Sequence, residues 1–217
     1  MTPRRPKPYD AVKRLVDVAA AGSVLLLTAP LQLVIASLVR RNLGSPALFR
    51  QQRPGLYGKP FTLVKFRTMR NPDVARGVVS DADRLTGFGK WLRSTSLDEL
   101  PTLWNVVKGD MSLVGPRPLL MAYLGRYSPE QIRRHEVRPG ITGLAQVRGR
   151  NAMLWADKFT ADVEYVTTRS LALDIRIVAR TVQSVLRREG ISSPGEATMA
   201  EFMGNGHEVT AACLEPS

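Results

Sequence analysis

The sequence predicts an α+β protein, mostly helical, in which a bent N-terminal membrane helix precedes a small part built from short strands and basic amphipathic helices. Three observations carry this. Residues 18–39 form an apolar run without a charged side chain. Residues 47–69 mix β-branched and aromatic residues with two turn signals. The rest shows helical spacing of apolar residues in segments rich in arginine.

The apolar run would reach roughly 33 Å at about 1.5 Å per residue, enough for a bilayer core. Its only polar side chains are Ser23, Thr28, Gln32 and Ser37. A buried helix of a soluble protein usually keeps a polar stripe, so membrane contact is expected. The run is long for a cleaved signal peptide. Arg4, Arg5, Lys7, Lys13 and Arg14 precede it, and Arg40, Arg41, Arg50 and Arg53 follow closely. Positive residues flanking a membrane segment prefer the cytoplasm, and a straight span cannot place both flanks there. Pro30 lacks the backbone donor, and its ring collides with the Leu26 carbonyl. A re-entrant helix broken at Pro30, entering and leaving by the cytoplasmic face, satisfies both facts. An ordinary span with a tolerated kink is the alternative.

After the run, Arg53-Pro54-Gly55 and Tyr57-Gly58-Lys59 mark turns between two short strands, 48–51 and 61–66, which suggests a hairpin. Residues 71–85 are polar and irregular and read as a loop. Helices are expected over 97–108, 129–136, 151–169 and 173–189, the last ended by Gly190. It carries Ile175, Val178, Val182, Val185 and Leu186 on one side and Arg176, Arg180, Arg187 and Arg188 elsewhere. That pattern suits a helix lying in lipid headgroups, and equally a helix packed on a core. Residues 191–217 read as a loose tail. The resulting division is a membrane helix with basic flanks over 1–42, a catalytic part over 43–190, and the tail.

Lys and Arg number 31 against 19 Asp and Glu, a net charge of +12 in 217 residues. Such a surface expects a polyanion: nucleic acid, anionic lipid or a phosphorylated substrate. One cysteine and two histidines exclude a disulfide scaffold and a structural zinc module. There is no P-loop, no dinucleotide-binding glycine motif after a strand, and no nucleophile elbow. His135, among Arg133, Arg134 and Arg138, reads as a surface residue. Trp91, Trp104 and Trp155 suit core or interface anchors as well as ligand platforms.

The chemistry concentrates at Ser96-Leu97-Asp98-Glu99-Leu100-Pro101. Ser96 with Glu99 has the spacing of a capping box, which accounts for Glu99 but not for Asp98. Lys65, Arg67, Arg93 and Arg117 are the cations whose convergence would turn the acidic pair into a phosphate-handling site. A carboxylate there can attack phosphorus or hold a divalent metal that bridges phosphate oxygens. The competing class is a non-catalytic basic protein that binds lipid or another polyanion, for which Asp98 would be useless.

Five stretches resemble bacterial sugar transferases of the small monotopic phosphoglycosyl transferase type. They are KRLVDVAAA at Lys13, FRQQRPGLYGKPFTLVKFRTM at Phe49, RSTSLDELPTLWNVVKGDMSLVGPRPLL at Arg93, RPGITGLAQVRGRN at Arg138 and LALDIRIVARTV at Leu171. The resemblance implies transfer of a sugar-1-phosphate from a UDP-sugar to undecaprenyl phosphate, with UMP released, at the cytoplasmic face of the bacterial inner membrane. It implies Asp98 as nucleophile, Asp98 and Glu99 as Mg²⁺ ligands, and Lys65, Arg93, Arg117, Arg150 and Asp174 as substrate-binding residues. It implies anionic lipids and no nucleic acid as partners, and leaves the oligomeric state open. It also implies a re-entrant helix broken at a Ser-Pro pair, amphipathic helices in the membrane plane and a small α/β catalytic part. Here the pair is Ala29-Pro30. The chain resembles the minimal core of the family. Gly149-Arg150-Asn151-Ala152 most resembles members that use UDP-N,N'-diacetylbacillosamine or another acetamido sugar.

Overall fold

A computed structural model describes residues 8–149, 153–187 and 201–204. Arg150, the helix end at Gly190 and most of the tail lie outside the described residues.

Helix α1, Pro8–Leu43, is one continuous helix with Pro30 inside it. The break expected at Pro30 therefore does not interrupt the helix. Polar side chains on either side of the proline bond back into its own turns. The Thr28 hydroxyl donates to the Val24 carbonyl at 2.6 Å, and Gln32 donates to Thr28 Oγ1 at 3.0 Å. The middle of α1 stays bare, with Leu26 and Leu27 at 80% and 82% exposure.

Both ends of α1 are docked on the rest of the chain. Near the N-terminus, Arg14 donates to the Val106 and Val107 carbonyls at 2.6 and 2.9 Å, satisfying the last turn of helix α4, Leu103–Lys108. Asp17 is buried and accepts from Ser112 Oγ at 2.7 Å. Near the C-terminus, Ile35, Val39 and Leu43, spaced four apart, pack with Ala47, Phe66 and Leu92.

Strands β1, Leu48–Pro54, and β2, Pro60–Phe66, form the expected antiparallel hairpin, with Phe49 opposite Lys65 and Arg53 opposite Phe61. The sequence-based loop over 71–85 holds a short helix α2, Asp81–Arg84, capped by Ser80. Helix α3, Gly87–Ser94, is capped by Thr86 and packs Leu92 into the core. It contains two glycines in eight residues, so helical propensity did not disclose it. The helix expected over 97–108 divides into a 3₁₀ turn, Leu97–Thr102, and α4. Pro101 has no N–H to donate, which fits the tighter geometry before it.

Strands β3, Ser112–Val114, and β4, Gly140–Thr142, pair in parallel and were not foreseen, being three residues each. Residues Gln131–Glu136 form a 3₁₀ turn, followed after β4 by α5, Leu144–Arg148. Helices α6, Trp155–Thr168, and α7, Leu171–Arg187, complete the fold. The buried face of α7 is Asp174 and Ile177, while Ile175, Val178, Val182 and Leu186 are exposed. Its apolar stripe thus points away from the core, which removes the core-packing alternative. The tail is partly docked: Phe202 is buried among Tyr123, Tyr127, Trp155 and Phe159. Arg126 donates to the Phe202 carbonyl at 2.6 Å.

Candidate active site

The acidic pair sits on a turn bolted to the hairpin. Asn105 of α4 is buried. It accepts from Val64 N–H at 3.1 Å and donates to the Thr62 carbonyl at 2.8 Å, so an amide side chain continues the free edge of β2. Thr102 Oγ1 donates to the Val64 carbonyl at 2.8 Å. These bonds fix the 3₁₀ turn beside Lys65, the next residue of β2. Arg93 Nε donates to Thr68 Oγ1 at 3.1 Å, which directs its guanidinium from α3 toward the same place.

Ser96 opens the turn with φ 54° and ψ 16°, a left-handed conformation that non-glycine residues adopt at a cost. Its side chain makes no capping hydrogen bond, so the capping box with Glu99 does not form. Glu99 is released for another partner: Arg117 Nη2 donates to Glu99 Oε1 at 2.9 Å. Arg117 is half exposed, so solvent screens this pair.

Arg117 follows a tight backbone crossing. Gly115 N–H donates to the Thr142 carbonyl at 2.9 Å, and Gly140 N–H donates to the Pro116 carbonyl at 3.0 Å. A Cβ on Gly140 would lie 2.1 Å from the Gly115 nitrogen, so only glycine permits the approach. The Arg117 carbonyl is held from behind by Arg134 Nη2 at 2.7 Å. Arg134 is itself buried against Asp162.

The electrostatics bind these residues into one cluster. Asp98 is 5% exposed. Burial, then the Glu99 charge, pushes its carboxyl up to about 6, against the pull of Lys65, Arg117 and Arg93. Burial pushes the Lys65 ammonium down, while Asp98 and Glu99 hold it up. Burial likewise lowers Arg93, and Asp98 opposes the shift. Glu99 raises Arg117. The structure therefore assembles Lys65, Arg93, Asp98, Glu99 and Arg117, drawn from β2, α3, the acidic turn and the loop after β3.

Arg67 is not in this cluster. It is buried and donates to the Leu43, Gly44 and Ser45 carbonyls, closing the end of α1. Asp174 is not in it either. Its Oδ2 accepts from Tyr9 and Lys13, each at 2.5 Å, and its Oδ1 from Tyr165 at 2.8 Å. These partners tie α7 to α1, and Asp174 does not figure among the groups that shift Asp98. The structure gives Asp174 a clasp between α7 and α1.

Sequence reasoning missed Arg134 and Asp162, because nothing in Arg133-Arg134-His135 separates a buried arginine from exposed ones. It also misplaced His135, which is buried beside Tyr127, with burial and Arg134 pushing its imidazole down to about 3. The sign is that of a neutral core histidine.

Asp98 and Glu99 are adjacent carboxylates, Asp81 of α2 also acts on Arg93, and no group of three His, Cys, Asp or Glu suited to a metal occurs among the described residues. Two hard oxygen donors fit Mg²⁺, which keeps waters and takes further ligands from phosphates, and do not fit a zinc cage. A buried carboxylate with flanking cations suits phosphoryl transfer.

Known proteins resemble this chain over most of its length. A Bacillus subtilis protein named uncharacterized sugar transferase EpsL is 52% identical over 196 residues, covering 90% of this chain and 97% of that one. A UDP-glucose:undecaprenyl-phosphate glucose-1-phosphate transferase of Caulobacter vibrioides is 47% identical over 201 residues, covering 86% and 75%. An undecaprenyl-phosphate galactose phosphotransferase of Salmonella typhimurium is 38% identical over 197 residues, covering 82% of this chain and 41% of that protein. The family described as bacterial sugar transferase matches residues 8–188, and the chain belongs to it.

Proposed function

We propose that this protein transfers a sugar-1-phosphate from a UDP-sugar to undecaprenyl phosphate through a covalent intermediate on Asp98. The observation that carries the reading is the buried Asp98 carboxylate set among Lys65, Arg93 and Arg117. A polyanion-binding protein gains nothing from it, since a buried acid weakens the local positive field. Relatives named for UDP-glucose and undecaprenyl phosphate support the substrate classes.

In the first step an Asp98 oxygen attacks the sugar-bearing phosphorus. The new P–O bond forms as the bond to the nucleotide's phosphate oxygen breaks, and UMP leaves. In the second step an oxygen of undecaprenyl phosphate attacks the same phosphorus, and Asp98 departs as a carboxylate. Lys65, Arg93 and Arg117 neutralise the charge spread over the phosphoryl oxygens in both steps. Glu99 and Asp98 would hold Mg²⁺, which supplies further charge neutralisation and orients the phosphates. Holding the ion would require Glu99 to give up its bond to Arg117.

The membrane reading is that α1 and the exposed stripe of α7 lie against the cytoplasmic leaflet. Tyr9 to Asp17 and Ile35 to Leu43 dock the two ends of α1 on the same body, while Leu26, Leu27 and Leu33 between them are bare. A helix crossing the bilayer would carry one of those ends away, so the docking supports a monotopic arrangement. Arg176, Arg180 and Arg187 beside the α7 stripe suit anionic headgroups.

The donor we favour is an acetamido sugar. The second reading is a plain hexose, favoured by the relatives named for glucose and galactose. Mg²⁺-dependent UMP release with undecaprenyl phosphate, across UDP-linked acetamido sugars, glucose and galactose, decides both points. Release that is lost in Asp98→Asn, with a phosphosugar adduct in the intact mass of the wild type, is the expected result. Turnover retained in Asp98→Asn would refute the covalent step.

A further inference from the structure

Phe202 lies outside residues 8–188, the stretch that matches the family, yet it is 1% exposed. Its ring meets Phe159 edge to face at 4.9 Å between centroids. It also lies 5.7, 6.0 and 5.7 Å from Tyr123, Tyr127 and Trp155. Its N–H donates to the Tyr123 hydroxyl at 3.1 Å, and its carbonyl accepts from Arg126 Nη1 at 2.6 Å. Arg126 pairs with Glu201 at 2.7 Å as well.

Two of these rings support Arg117. The Arg134 guanidinium lies over Tyr127 and over Phe159, 5.7 Å from each centroid, and its Nη1 donates to the Tyr127 hydroxyl at 3.2 Å. Its Nη2 holds the Arg117 carbonyl. Asp162 neutralises Arg134 through a single oxygen, Oδ2, which leaves the plane of the guanidinium to the two rings. Leu119 and Leu120, just after Arg117 in the chain, pack on the cluster of Tyr123, Phe159 and Phe202. Phe202 therefore touches both rings beside Arg134 and the cluster that seats the Arg117 loop. Interiors are close-packed, so truncating it leaves a space into which Tyr127, Phe159 and the two leucines relax. Arg134 and the Arg117 backbone follow them.

Resting on the proposed transfer reaction, we propose that Phe202 is a positioning residue, which seats the rings that orient Arg134 and so fixes Arg117 where it neutralises the phosphoryl group.

The test is a double-mutant cycle in the full chain in detergent, with Phe202→Ala, Arg117→Gln and both together. UMP release is read at saturating undecaprenyl phosphate, well below the melting temperature of each variant. A misplaced cation weakens the transition state, so Phe202→Ala should lower kcat about tenfold and change KM for the UDP-sugar less than about twofold. In the Arg117→Gln background the same substitution should lower kcat less than about twofold, because the group it positions is gone. Phe202→Leu keeps most of the apolar volume and should recover most of the loss. Hydrogen exchange gives a readout independent of turnover: amides of residues 115–120 should exchange faster in Phe202→Ala, and those of the hairpin at 48–66 should not. An unaltered kcat, an equal loss with and without Arg117, or unaltered exchange over 115–120 refutes the positioning role alone. A wild type that releases no UMP from any donor refutes the transfer reaction, and the positioning role with it.

Discussion

Arg134 and Asp162 form a buried pair whose outer end holds the active-site loop. Arg134 Nε and Nη2 donate to Asp162 Oδ2 at 3.0 and 2.7 Å, and the same Nη2 reaches the Arg117 carbonyl at 2.7 Å. Both side chains are almost wholly buried. The backbone of half-exposed Arg117 is thus held by a cation that is itself buried.

Removing one partner of such a pair strands a charge in the interior. Asp162→Asn should cost about 3–5 kcal/mol. That corresponds to a fall of roughly 6–20 °C in melting temperature for a chain of this size. Differential scanning fluorimetry in detergent measures it. A fall under 2 °C, on the order of 1 kcal/mol or less, would mean that the pair does not carry the loop.

Asp98 is expected to be destabilising and indispensable at once. Its carboxyl is raised from 3.8 to about 6, so ionising it in the fold costs about 3 kcal/mol near neutral pH. Asp98→Asn should abolish turnover while raising the melting temperature. An inactive variant with a lower melting temperature would show that the carboxylate contributes to the fold.

The same shift fixes the direction of pH effects. The folded state holds this proton more tightly than the unfolded chain, so the contribution of Asp98 to stability grows as pH falls from about 6 toward 3.8. In the proposed reaction turnover runs the other way, because Asp98 must be ionised to attack phosphorus. The acid limb of kcat/KM should bend near pH 6. A limb that bends near pH 4 instead would place the nucleophile in a less buried, better compensated setting.

Asp174 should behave as a clasp rather than a substrate ligand. Its removal leaves Lys13 with Asp17 at 3.7 Å, takes the Asp174 bond from the Tyr9 hydroxyl and leaves the Tyr165 hydroxyl on the Val114 carbonyl at 3.1 Å. Asp174→Ala should cost about 3 kcal/mol. The active fraction should fall with it, but KM for the UDP-sugar should be unchanged in the molecules that remain folded. A raised KM at unaltered melting temperature would return Asp174 to the substrate.

By itself the sequence determined the features that local chemistry encodes. The uncharged run announces α1, alternation and turn residues announce the β1–β2 hairpin, and spacing announces α6 and α7, because each signal lies within a few residues. The acidic pair and the arginines of the active site were also legible, as residue types that phosphoryl transfer needs. The tertiary structure decided what those types do. It separated Asp98, buried among cations, from Glu99, bonded to Arg117; it moved Asp174 and Arg67 into clasps on α1; it turned the α7 stripe outward; and it buried Arg134 and His135 in a run that looks uniformly exposed. Charge, burial and partner are properties of distant chain segments brought together, and no window of sequence contains them.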